Sequence, residues 1–147
     1  MLTGGDHPVM SILEKKQRLM DDLGVIEDPH DRLAYVIDFG KRLAPLDETF
    51  KTDAYRIEGC VSNLWLHPQF EGGVCRFDAD SDALITKGFA GLLCWLYSGF
   101  RPEEVLQVDP AFLGEAGVTQ HLSPNRRNGL TQVGSRIMNF AKIHAAG

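Results

Sequence analysis

The spacing of apolar residues changes twice along this chain, and that change limits what the chain can fold into. From residue 11 to 44 apolar positions recur every three to four residues, the period of a helix with one buried face. Between 55 and 80 they alternate, the period of a strand. From 81 onward helical spacing returns. Helices, then a small sheet, then helices within 147 residues predict one α+β domain spanning 1–147, with helices packed on one face of the sheet.

Local signals sharpen the expectation. "SILEKKQRLMDDLG" gathers Ile12, Leu13, Leu19, Met20 and Leu23 and ends near Gly24. "DPHDRLAYVIDFGKRLA" has Asp28 as N-cap and Pro29 in its first turn. Its buried stripe is Leu33, Val36, Ile37, Gly40, Leu43 and Ala44, and Pro45 stops it. "YRIE", "NLWLH" and "VCRFDAD" each alternate, which predicts a three-stranded antiparallel sheet. The last two join through "EGG" at 71–73 as a hairpin. "SDALITKGFAGLLCWLYSG", capped at Ser81 or Asp82, is apolar nearly all round from Phe89 to Tyr97 and reads as the central buried helix. "RPEEVLQV" and "PAFLGEAG" read as short helices. Ser123 caps the last helix, with Pro124 in its first position and a core stripe of Leu130, Val133, Ile137 and Phe140.

A net charge of -5 argues against nucleic acid as a partner, because phosphate binding needs a basic face. No apolar run approaches the ~20 residues of a membrane helix, so no membrane partner is expected. "MLTGGDHPVM" has no basic stretch leading into an apolar one, so no secretory signal is expected and the cytoplasm is the default location. The 3 cysteines, Cys60, Cys75 and Cys94, are odd in number and contain no C-x-x-C pair. That spacing fits neither a disulfide framework nor a zinc site.

Their settings differ. Cys94 lies within "GLLCWLY", and Cys75 shares a strand face with Phe77; both read as core. Cys60 lies in "EGCVSN", a turn between strands, where a thiol can meet another molecule. On composition alone it is either a reactive thiol or an incidental one. Gly59 either ends a strand or lets a partner approach the backbone.

Three blocks, "GCVSNLWL", "DADSDALITKG" and "TQHLSPNRRNGL", in this order and at these separations, resemble the SufE family of sulfur-acceptor proteins (the SufE/CsdE-like group). The resemblance runs from the first helices to the last. It implies an α+β fold similar to that of IscU-type iron–sulfur scaffolds, and no cofactor of the protein's own. It implies a carrier and activator rather than an independent enzyme. Such a protein takes persulfide sulfur from a pyridoxal-phosphate cysteine desulfurase (SufS- or CsdA-like) and relays it to an iron–sulfur assembly scaffold complex. Cys60 matches the acceptor, with Gly59 and Ser62 in the same motif. Val61 stands where the family often has Gln, and Cys75 and Cys94 match no family feature.

The other two blocks supply supporting or partner-binding candidates. Asp80 and Asp82 flank the expected cap of the buried helix, where carboxylates suit the dipole; the resemblance adds a partner surface. Lys87 follows on the same helix. Arg126 matches the family motif and sits with Arg127 in the first turn of the last helix, where it would stabilise an anionic sulfur or pair with a partner's acids. His121 precedes that turn as a contact residue or a proton carrier.

Sulfur transfer is attack of a thiolate on a donor persulfide, a relative of thiol–disulfide exchange. Lowering a thiol pKa from ~8.5 to ~7 raises the ionised fraction, but the loss of nucleophilicity leaves a net gain of only about threefold. Alignment of the reacting sulfurs contributes up to ~7–11 kcal/mol in the best cases. Docking and loop geometry are therefore expected to set the rate. Two other chemistries fit the residue types: a thiol hydrolase or transferase pairing Cys60 with His67 or His121, and an iron–sulfur scaffold, which needs converging thiolates that this spacing does not suggest.

Overall fold

The computed structural model describes residues 10–58, 62–120 and 122–146. Helix α1 (Ile12–Val25) opens on a reciprocal cap: Ser11 Oγ accepts from the Glu14 N–H, and Glu14 Oε1 accepts from the Ser11 N–H. It buries Ile12, Leu19 and Leu23, while Leu13 faces outward. Helix α2 (Pro29–Lys41) is capped by Asp28, as expected, and ends four residues before Pro45. A 3-10 turn, Glu48–Phe50, leads toward the sheet.

Strands β1 (Leu64–Glu71) and β2 (Val74–Ser81) pair antiparallel from Leu64↔Ser81 to Glu71↔Val74. Gly72 and Gly73 have φ of 60° and 82°, the left-handed pair that a two-residue hairpin turn demands. Leu64, Leu66, Cys75, Phe77 and Ala79 point to the core.

Among the described residues the sheet has two strands, not the three expected. Tyr55 and Ile57 do alternate with their neighbours, but the segment makes only an isolated bridge, Arg56↔Trp65. The Ile57 N–H donates to Leu64 O, and the Leu66 N–H donates to Tyr55 O. The carbonyls on the other side of the segment go elsewhere: the Arg136 guanidinium donates to Ala54 O (3.5 Å) and Arg56 O (3.1 Å). A similar bridge, Cys75↔Phe100, covers the outer edge of β2.

Helix α3 (Leu84–Tyr97) is the centre, packed against α2, β2 and the last helix. It starts later than expected. β2 runs through Ser81, so the N-cap is Ala83, which makes no side-chain capping bond; neither Ser81 nor Asp82 is the cap. Gly40, Gly88 and Gly91 let the backbones of α2 and α3 touch; a Cβ on Gly40 would lie 2.9 Å from Gly88 N. Tyr97 is fully buried and donates its hydroxyl to Val108 O (2.7 Å). Helices α4 (Pro102–Val105) and α5 (Phe112–Glu115) are single turns. Helix α6 (Pro124–Ala146) closes the core with Val133, Ile137 and Ala141. Lys15 ties α1 to α3: its ammonium donates to Trp95 O (2.6 Å) and lies over the Trp95 and Phe100 rings. Among the described residues no helix is long and apolar enough to cross a membrane.

Candidate functional site

Cys60, Gly59 and His121 lie outside the described residues, but the chain on either side of residue 60 is held firmly. On the entry side Ile57 is buried, and its N–H donates to Leu64 O at 2.8 Å. On the exit side Asn63 is gripped by four hydrogen bonds. Its N–H and side-chain amide donate to the two Asp82 carboxylate oxygens at 3.1 and 3.0 Å. Its carbonyl accepts from the Ser81 hydroxyl at 2.6 Å and the Asp82 N–H at 3.3 Å. Asp82 therefore clasps the segment leaving Cys60 instead of capping α3. Ser62, half-buried, sits at the bend just before this clasp.

Asp80 has a different task. It is only 8% exposed, so its charge needs partners. It lies between Lys51 (3.3 Å) and Lys87 (3.4 Å). It also accepts from the N–H groups of Ser81 (2.8 Å) and Leu46 (3.4 Å). Burial alone would raise its pKa, but the Ser81 N–H, Lys51, the Leu46 N–H and Lys87 outweigh burial and hold the carboxyl below its usual value. A depressed folded-state pKa contributes stability above the unfolded-state value of ~4, and that contribution is lost as pH falls through the folded value. Asp80→Asn should cost about 1.5 kcal/mol at pH 7. In urea titrations the gap between variant and wild type should close as pH drops below ~4; a gap that persists unchanged at low pH would refute the assignment.

The N-terminus of α6 lies near this end of the sheet. Ser123 Oγ accepts from the Arg126 N–H at 3.3 Å, as an N-cap should. The two arginines diverge. Arg126, exposed overall, borders a small cleft with Leu64 and Thr86. Arg127 donates to Leu122 O (3.1 Å) and lines a separate groove of about 500 Å³ between α5 and α6. The structure thus brings Asp80, Asp82, Lys87 and Arg126 together around the start of β1 and α3. Sequence reasoning missed Asn63, Lys51 and Thr86. Thr86 carried a faint signal, as a hydroxyl in a helix that is otherwise mostly apolar apart from Lys87.

The two described cysteines are sealed. Cys75 has no exposure and Cys94 only 4%. Burial, and secondarily Glu103, raises the pKa of Cys75; burial, and secondarily Asp78, raises that of Cys94 further. His67 is packed in aromatic rings, stacked on Phe50 (3.8 Å between centroids) and edge-on to Tyr55 (4.9 Å). Among the described residues no group of three or more His, Cys, Asp or Glu is arranged to hold a metal ion.

Comparison with known proteins agrees with this architecture. The family model "SufE: Fe-S metabolism associated domain" matches residues 17–141. SufE-like protein 1, chloroplastic/mitochondrial, of Arabidopsis thaliana is 37% identical over 142 residues, covering 96% of this chain but only 38% of the plant protein. An uncharacterized SufE-like protein of Rhizobium etli is 33% identical over 147 residues, with 97% of each chain covered. The solution structure of a hypothetical protein from Thermus thermophilus superposes with a TM-score of 0.75 at 24% identity, covering 94% of this chain and all of that one, a likeness of fold. The chain therefore belongs to the SufE family, whose domain is associated with Fe–S metabolism.

Proposed function

We propose that this protein is a sulfur carrier in which Cys60 accepts persulfide sulfur from a cysteine desulfurase and passes it to an iron–sulfur assembly complex. The Cys60 thiolate attacks the terminal sulfur of the donor's cysteine persulfide. A new S–S bond forms on Cys60, the donor's S–S bond breaks, and the donor cysteine leaves as its thiolate. One sulfur atom moves and no external oxidant or reductant is consumed. Removing that sulfur frees the desulfurase for its next turnover, which is how the carrier stimulates it. The pyridoxal phosphate belongs to the partner. A reducing compartment, the cytoplasm in this reading, keeps the acceptor thiol reduced between cycles.

The observation that carries this reading is the sealing of the other two thiols. Cys75 and Cys94 are buried and harder to ionise, so neither can offer a thiolate to another protein. The firm anchors at Ile57 and Asn63 support it further, because alignment of the reacting sulfurs contributes more than acidity. Lys51 and Lys87 are engaged by Asp80, and Arg126, exposed at the start of α6, offers a cation at this end of the sheet to an acidic partner surface. Intact-protein mass spectrometry after mixing with a cysteine desulfurase and free cysteine tests the proposal. One added sulfur, mapped to the peptide containing Cys60, is expected. An adduct spread over the Cys75 and Cys94 peptides, or none, would overturn it.

A further inference from the structure

The groove between α5 and α6 has about 500 Å³ of room. Its middle is apolar: Leu113, Leu130 and Met138 line it, with Pro110 and Gly134 where the two walls meet. A Cβ on Gly134 would lie 2.9 Å from Pro110 Cγ, so the glycine is what lets the turn at 110 come down onto α6 and close the floor.

Cations mark both ends. Arg127 and Lys142 line the groove, are exposed, and meet no carboxylate among the described residues. About fifteen residues of helix separate them, roughly 22 Å along the axis. Asp109 is the one acid among the described residues lining the groove, and its Oδ1 accepts from the Ala111 N–H at 2.9 Å within its own turn. The rest of the chain is acidic, with a net charge of -5. It repels acidic peptides at long range, so attraction here has to come from these two side chains.

The walls are helix and turn, with no strand edge for backbone pairing, so an occupant is recognised through side chains, as an amphipathic helix laid in a groove is. Helical spacing puts Arg136, which holds residues 54 and 56, on the other flank of α6. An occupant of the groove therefore leaves that segment uncovered.

We propose that this groove docks an acidic amphipathic helix of a partner protein, with apolar side chains against Leu113, Leu130 and Met138 and carboxylates at its two ends reaching Arg127 and Lys142. The docking does not depend on the role of Cys60.

The test titrates the isotope-labelled full chain with two synthetic peptides of about fifteen residues. They share a leucine stripe at helical spacing; one carries glutamates at both ends and the other lysines. Backbone amide shifts report both the site and the affinity. The glutamate peptide should move amides within 109–119 and 127–142 and bind at least ~10-fold more tightly than the lysine peptide. Arg127→Glu combined with Lys142→Glu should invert that preference. Lys142→Glu alone, which leaves the Arg127 bond to Leu122 O in place, should narrow it about threefold. Arg18→Glu combined with Lys41→Glu, an equal change of net charge on exposed cations outside the groove lining, should keep it. Equal binding of the two peptides, or shifts that map elsewhere, overturns the proposal. A dimer whose concentration-dependent shifts map to the groove assigns it to a second copy of this chain and overturns the proposal as well.

Discussion

Cys60→Ser should accept no sulfur from a cysteine desulfurase, and its stimulation of that enzyme should fall to the unstimulated rate. A serine hydroxyl stays protonated at neutral pH and cannot form a persulfide, so no residual pathway runs through position 60. The remaining thiols cannot take over. Cys75 is walled in by the sheet and Phe100, Cys94 lies inside α3, and both have their pKa raised by burial. The expected loss in sulfur delivery is at least ~100-fold, more than ~2.7 kcal/mol by rate arithmetic. Affinity for the desulfurase should change by less than about twofold, because one oxygen for one sulfur leaves the docking surface intact. Sulfur delivery by Cys60→Ser at the wild-type rate would refute the acceptor assignment. A loss of both delivery and binding would assign Cys60 to docking instead of chemistry.

Gly91→Ala should be the most destabilising of the stability substitutions considered. A Cβ there would lie 2.7 Å from the Phe39 carbonyl carbon and 2.9 Å from Gly40 N. Both atoms are backbone, so no rotamer change relieves the clash and α2 must move off α3. Overpacking of this kind costs up to ~3 kcal/mol or more. The gain in helix propensity, ~1 kcal/mol, offsets only part of it. The expected drop in melting temperature is about 6 °C for a domain of this size. Gly24→Ala is the matched control. It lies in α1 with nothing within 4 Å of the added Cβ, so it should leave stability unchanged or raise it by less than ~1 kcal/mol. Equal melting of the two variants would show that α2 and α3 do not meet at their glycines.

Much of the fold was legible because period and capping are local. The Asp28 and Ser123 caps, the glycine pair of the hairpin and the central helix all depend on residues within a turn of one another. The failures involve partners far apart in the chain. Tyr55 and Ile57 alternate like strand residues, but the carbonyls of Ala54 and Arg56 are taken by Arg136, some eighty residues away, and only a bridge forms. Phe39 was absent from the expected α2 stripe, yet it is buried between Tyr35 and Trp95. Asp80 and Asp82 read as dipole partners of α3. One instead holds Lys51 and Lys87, and the other holds Asn63. The proposed acceptor, Cys60, rests on its motif and its turn-like sequence surroundings, since it lies outside the described residues. Thr86 and Asn63 emerged only when α3, α6 and β1 were brought together.

The bridges flanking the hairpin have a bearing on how this chain behaves in company. A two-stranded sheet normally leaves two rows of free amides and carbonyls to which stray extended peptides can zip. Here residues 55–57 cover the Leu64–Leu66 end of one margin, with a guanidinium behind them, and residues 99–100 cover part of the other. A sulfur carrier of the kind proposed must let go of each client. With both margins partly covered, recognition through side chains, which bind and release quickly, is favoured over the slow, fibril-prone route of borrowing a neighbour's backbone.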